Sequence, residues 1–105
     1  MSRDPLLDPD EVAALDVLTD WRVVEHSLVA TFRADSFAIG GQLVAAIAAA
    51  ADAADHHPDV DLRFPGLVRV LLTTHDSGGL TRRDVEVAGT VSALAAHVGA
   101  TAVQP

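Results

Sequence analysis

The residue that most constrains the fold is Pro58, because the hydrophobic order of the chain changes on either side of it. Before it, from Phe37 to about Asp55, the residues are mostly apolar, and Phe37, Val44, Ile47 and Ala51 lie on or near one face of a helix. A proline disfavours helical geometry at the residue before it, so this helix must end at or just before His57. After it, Val60, Leu62 and Phe64 alternate with Asp59, Asp61 and Arg63, the period of a half-buried strand. Pro65-Gly66 signals a turn, and Leu67 to Thr74 is the strongest strand in the chain. It puts Val68, Val70 and Leu72 on one face and Arg69, Leu71, Thr73 and His75 on the other. A long helix that must stop, followed at once by strand, turn and strand, calls for a layered domain in which the helix covers the sheet.

The remaining elements fit that frame. Residues 9–18 read as a first helix, with Asp8 as cap, Pro9 at its start and Val12, Leu15 and Leu18 at helical spacing. Trp21 to Glu25 and Leu28 to Arg33 are short β-prone runs joined at His26-Ser27, a hairpin. Asp35 or Ser36 caps the long helix, and Gly40-Gly41 inside it indicates close approach of another element. Ser77-Gly78-Gly79 is a loop. Thr81 and Asp84 form a capping box, with Leu80 and Val85 as its hydrophobic staple, and the last helix runs to about His97. Gly99 to Pro105 reads as a frayed tail. The expected order is α-β-β-α-β-β-α: an α+β, two-layer fold with a four-stranded antiparallel sheet and helices on one face. It forms a single domain over 1–105, with its core at about 9–98.

Composition excludes several classes. The chain has no cysteine, so disulfides, thiolate metal sites and cysteine nucleophiles are ruled out. It has no lysine, and a net charge of −8, which argues against nucleic-acid partners and against an anionic membrane surface. The segment Met1–Asp10 does not resemble a secretory signal, and the best apolar run, Leu43 to Ala51, is too short to span a bilayer, so a cytoplasmic protein is expected. A chain of 105 residues buries only about 60–70% of its unfolded surface, so association with its own copies would help it.

The chemistry concentrates at the joints between elements. His56-His57-Pro58-Asp59, Thr74-His75-Asp76 and Asp84 place three of the five histidines and several carboxylates at element ends that a two-layer fold can bring to one rim. Histidine, with an unperturbed pKa of about 6.5, gives and takes protons near neutrality. Asp52 and His56 are four apart and share a helix face, so Asp52 is placed to orient His56. Pro58 fixes the backbone after His57, so the neighbouring imidazoles should point in different directions. That suits two contacts with one flat ligand better than chelation. A zinc site from His56, His57, His75 and one aspartate fits on ligand types alone, but no His-x-x-x-His or His-x-His spacing supports it. Each residue also has an ordinary reading: a solvated carboxylate for Asp52, a helix stop for His57, a strand end for His75, a cap for Asp84. Their company is what points to a site. His26 and His97 lack such company and read as structural or surface residues, and Trp21 reads as core or interface.

Asp52-x-x-x-His56-His57-Pro58, then Phe64, Thr74-His75-Asp76, Gly79-Leu80-Thr81 and Asp84, resemble the signature of the pterin-4a-carbinolamine dehydratases. Trp21, Phe32, Phe37, the Phe37-to-His56 spacing and Asp84-Val85-x-x-Ala88 extend the resemblance over roughly Leu18 to His97. It implies a two-layer α+β domain that forms a homodimer or homotetramer. It also implies a hydro-lyase (4a-hydroxytetrahydrobiopterin dehydratase) that converts 4a-hydroxytetrahydropterin to quinonoid dihydropterin. That step recycles the pterin spent by aromatic amino acid hydroxylases and needs no cofactor or metal. On this pattern His56, His57 and His75 are the working groups. His56 and His75 would exchange protons and His57 would hold the pterin. Asp52 would orient His56, and Asp84 would hold His75 or the last helix. One departure stands out: the run from Phe64 to His75 is one residue longer than the family's. The turn at Pro65-Gly66 can absorb it; a shifted strand would instead turn His75 to the other sheet face.

A second function is compatible with the fold. Relatives of this family serve as non-catalytic binding, assembly or coactivator proteins, and fold alone does not separate the two. The intact histidine set favours the enzyme.

Overall fold

A computed structural model describes residues 4–103 of the chain. The first helix, α1, is Pro9–Ala13, with the Asp8 carboxylate accepting from the Asp10 N–H at 2.9 Å. It is shorter than the expected 9–18. Leu15 turns extended, with φ −73° and ψ 130°, and Asp16–Leu18 form a separate 3₁₀ turn. The break lets Val12 and Leu18 both reach the core and leaves Leu15 exposed, where one helical stripe would have buried all three.

Strands β1 (Arg22–Val24) and β2 (Ser27–Arg33) form an antiparallel hairpin whose register pairs Val24 with Ser27. The turn is Glu25-His26, one residue earlier than expected, and Glu25 takes the left-handed φ of 55°. Helix α2 is Phe37–Ala54, and Ser36 caps it by accepting from the Ile39 N–H at 3.1 Å. By length and composition α2 could cross a membrane, with a mean hydropathy of 1.6. Gly40, Leu43, Ile47 and Ala51 are its buried residues, and Leu43 and Ile47 belong to the hydrophobic core. At Gly40 a Cβ would lie 2.7 Å from Leu62 Cδ1, so the close approach expected of the glycine pair is real at this position.

Strands β3 (Asp59–Arg63) and β4 (Leu67–Leu72) pair antiparallel, with Arg63 opposite Leu67 and Phe64-Pro65-Gly66 as the turn. Val68, Val70 and Leu72 are fully buried, so β4 holds the expected parity and carries no one-residue slip towards His75. The sheet order is β1-β2-β4-β3. Helix α3 is Arg82–His97. Leu28, Ala30 and Phe32 of β2, the buried row of β4, Leu43 and Ile47 of α2, and Val87, Ala88, Val91 and Ala95 of α3 form one core. The helices α2 and α3 therefore cover one sheet face, while Arg33 and Arg69 stand exposed on the other. Trp21 joins the core from below the hairpin, its Nε1–H donating to Ser92 Oγ at 2.9 Å and its ring edge-on to Phe32.

The sheet has a fifth strand where a frayed tail is expected. After α3, Gly99 takes a φ of 75° and reverses the chain. Ala100 is buried, and β5 (Thr101–Ala102) pairs with Arg33 and Phe32 on the edge of β2 that β1 leaves free. Val103 N–H then donates to Thr31 C=O at 2.8 Å. Glycine made the reversal possible, and unpaired β2 backbone supplied the partner. Gln104 and Pro105, at the end of the expected tail, and Met1–Arg3 lie outside the described residues.

Candidate active site

The end of α2 decides where the paired histidines go. Asp55 closes the helix in the left-handed conformation, φ 50° and ψ 42°, and His56 N–H donates to Ala51 C=O at 3.1 Å. This reversal turns His56 inward, where its residue is only 7% exposed, and leaves His57 outside, its side chain 58% exposed. The two imidazoles diverge.

Each finds a different carboxylate. His56 Nε2 lies 2.7 Å from Asp84 Oδ1, and His57 Nε2 lies 2.9 Å from Asp52 Oδ1. The expected pairing of Asp52 with His56 is thus replaced by Asp52 with His57. The i,i+4 rule holds only while the chain stays helical, and Asp55 has already left the helix. Asp84 pairs with His56 rather than His75.

Asp84 opens α3 as the third residue of the expected capping box. Its carboxylate is fully buried and takes three hydrogen bonds. Oδ1 faces His56, while Oδ2 accepts from the Thr81 N–H at 2.9 Å and from the Thr74 hydroxyl at 2.7 Å. The Thr74 and Thr81 hydroxyls are 2.8 Å apart. Thr74 has one hydroxyl proton and gives it to Asp84, so Thr81 is the donor between them. Thr81 Oγ1 in turn accepts from the Arg83 N–H at 3.2 Å. A buried carboxylate is tolerated when its lone pairs are met in this way.

His75 stands exposed just after β4, in a 3₁₀ turn spanning His75–Ser77. It lines one open pocket of about 230 Å³ together with His56, His57, Asp55, Thr73, Thr74, Asp76 and Arg83. The three histidines expected from the sequence therefore share a cavity, and the cavity is polar. Asp84 lies behind His56 and Asp52 beside His57, so neither lines it. Arg83 braces the rim by donating to Asp55 C=O. Among the described residues no group of three His, Cys, Asp or Glu side chains is placed to hold a metal ion. His26 and His97 are exposed and do not line the pocket.

Sequence reasoning misses Thr74, Thr81 and Arg83 as neighbours of the pocket histidines. For Thr74 a signal existed: it continues the buried parity 68, 70, 72, and a threonine at a core position needs a hydrogen-bond partner.

An α+β two-layer fold with three histidines gathered from a helix end and a strand end, one of them backed by a buried aspartate, defines a class of small domains with a histidine-lined polar pocket. Residues 5–94 match the family model described as "Pterin 4 alpha carbinolamine dehydratase", and the chain belongs to that family. A Chloroflexus aurantiacus protein named "Putative pterin-4-alpha-carbinolamine dehydratase" is 40% identical over 91 residues, covering 86% of this chain and 97% of that one. A Nocardia farcinica protein of the same name is 39% identical over 95 residues, covering 90% and 99%. Among solved structures, a Brucella melitensis "transcriptional coactivator/pterin dehydratase" superposes with a TM-score of 0.76 at 28% identity, over 86% of this chain and 97% of its own.

Proposed function

We propose that the chain dehydrates 4a-hydroxytetrahydropterin to quinonoid dihydropterin, as a hydro-lyase acting through histidine acid–base chemistry. The observation that carries this reading is the shared pocket of His56, His57 and His75 with the buried Asp84 behind His56. In the reaction a proton reaches the 4a-hydroxyl, the C4a–O bond breaks, and a ring nitrogen loses a proton as it forms the double bond to C4a. One water leaves in all. His56 and His75 are assigned the two proton transfers, which positioned imidazoles perform near neutral pH. His57, exposed and held by Asp52, is assigned to the face or edge of the pterin. The reading carries with it a homo-oligomer in the cytoplasm.

The test is the decay of freshly generated 4a-hydroxytetrahydropterin, followed by ultraviolet absorbance. Wild type should exceed the buffer rate, and His56→Ala and His75→Ala should each lose that acceleration. A folded wild type that leaves the buffer rate unchanged would move the assignment to a non-catalytic binding protein; the Brucella protein's description names a transcriptional coactivator beside the dehydratase.

A further inference from the structure

We propose that Thr74 is a positioning residue: through Asp84 it holds His56 as the Nε2–H tautomer, so that Nδ1 is the atom through which His56 exchanges protons. This rests on the acid–base reading of His56 and adds an atom and a residue to it.

Hydrogen-bond accounting carries the argument. Asp84 is fully buried, and as a carboxylate it accepts only. Its Oδ2 is occupied by two donors on separate elements, the Thr74 hydroxyl at the end of β4 and the Thr81 N–H at the start of α3. Two donors from two directions fix the rotation of the carboxylate about its Cβ–Cγ bond. That leaves Oδ1 alone to face His56 Nε2 at 2.7 Å. An acceptor at that distance requires a proton on Nε2, so the neutral ring must carry its lone pair on Nδ1. No buried side-chain nitrogen or oxygen among the described residues lacks a partner, and His56 makes no second side-chain bond; Nδ1 therefore retains solvent access. The Thr81 hydroxyl, donating to Thr74 Oγ1, makes the choice one-sided, because it uses the Thr74 lone pair and directs the Thr74 proton to Asp84.

The experiment is nitrogen-15 NMR of the histidine rings in the full chain, with steady-state dehydration kinetics beside it. In wild type, neutral His56 should show a protonated Nε2 and a bare Nδ1. Thr74→Val keeps the shape and removes the proton donor. With only the Thr81 N–H left on Oδ2, the carboxylate can turn away from Nε2, so the ring should show a mixture of His56 tautomers and kcat should fall by roughly ten- to a hundredfold, with KM within about twofold. Thr74→Ser restores the hydroxyl and should restore both readouts. Asp84→Asn supplies a second handle. Its amide oxygen must stay with the two donors at Thr74 and Thr81, so its NH₂ must face His56 and the ring must invert to the Nδ1–H tautomer. Neutral wild-type His56 with its proton on Nδ1 would overturn the proposal. So would a folded Thr74→Val with wild-type ring signals, or an Asp84→Asn ring that keeps the Nε2 proton. The ring signals do not depend on turnover, so they decide the positioning role even if no dehydratase activity is found.

Discussion

At the scale of single residues, the two aspartate–histidine pairs look alike in distance and differ in worth. The Asp52–His57 pair is held at 2.9 Å between side chains 81% and 58% exposed. Water competes for both partners, and such pairs contribute about 0–1 kcal/mol. Asp52→Ala should therefore change unfolding free energy by less than about 0.5 kcal/mol, and its effect should fall on KM through a freed His57. Asp84→Ala removes the acceptor for the Thr74 hydroxyl, the Thr81 N–H and His56 Nε2 in a dry setting. It should lower stability by about 2–4 kcal/mol, since each stranded buried donor carries its desolvation cost. Urea denaturation of the two variants beside wild type checks both; comparable losses would show that burial does not separate the pairs. That His56, His57 and His75 come to one pocket was legible in the sequence, because they sit at element ends that a two-layer fold brings together. The pairing was not. It depends on one left-handed residue, Asp55, an aspartate that tolerates this conformation but does not announce it.

At the scale of elements, the sequence spoke clearly wherever periodicity and capping agreed. The long helix, the alternation through β4 and the capping box of α3 have strong local causes, and the structure has them at the expected places. It spoke poorly where tertiary pairing decides. The strand β5 is two residues long and forms because β2 has free backbone beside it, which no local pattern carries. Glycine positions divide in the same way. Gly41 sits in α2 with its nearest neighbour, Leu62 Cδ2, 4.0 Å from a built Cβ, so Gly41→Ala meets no clash. It should stabilise the fold by about 0.5–1 kcal/mol through helix propensity. Gly66 is the opposite case. A Cβ there would lie 2.9 Å from the backbone oxygens of both Ala34 and Ser36, and Ala34 N–H is bound to Gly66 C=O, so backbone must move. Gly66→Ala should destabilise by roughly 1–3 kcal/mol. Thermal melts of the two variants should shift in opposite directions. A stabilised Gly66→Ala would mean that the β3–β4 turn relaxes freely.

At the scale of the whole molecule, charge and apolar surface are arranged in a way that bears on association. The chain carries fifteen acidic and seven basic residues, yet α2 has no charge from Phe37 to Ala51. Only 22% of that helix is buried within the chain, and Phe37, Ala38, Ala45, Ala48 and Ala49 are exposed along it. A second copy packed on this surface removes apolar area at little cost in desolvated charge, which is the physical content of the expected homo-oligomer. Sedimentation velocity should give a mass of at least two chains, and the melting temperature should rise with protein concentration, because association stabilises only the folded form. Ala45→Glu and Ala49→Glu place a carboxylate on the surface and should yield monomers that still fold. The sign of the salt dependence follows from the net charge of −8. Acidic copies repel, and salt screens that repulsion, so raising sodium chloride from about 50 mM to about 500 mM should strengthen association. Dissociation on adding salt would instead place ion pairs at the contact and move the interface off α2, to the sheet face where Arg33, Arg63 and Arg69 stand exposed.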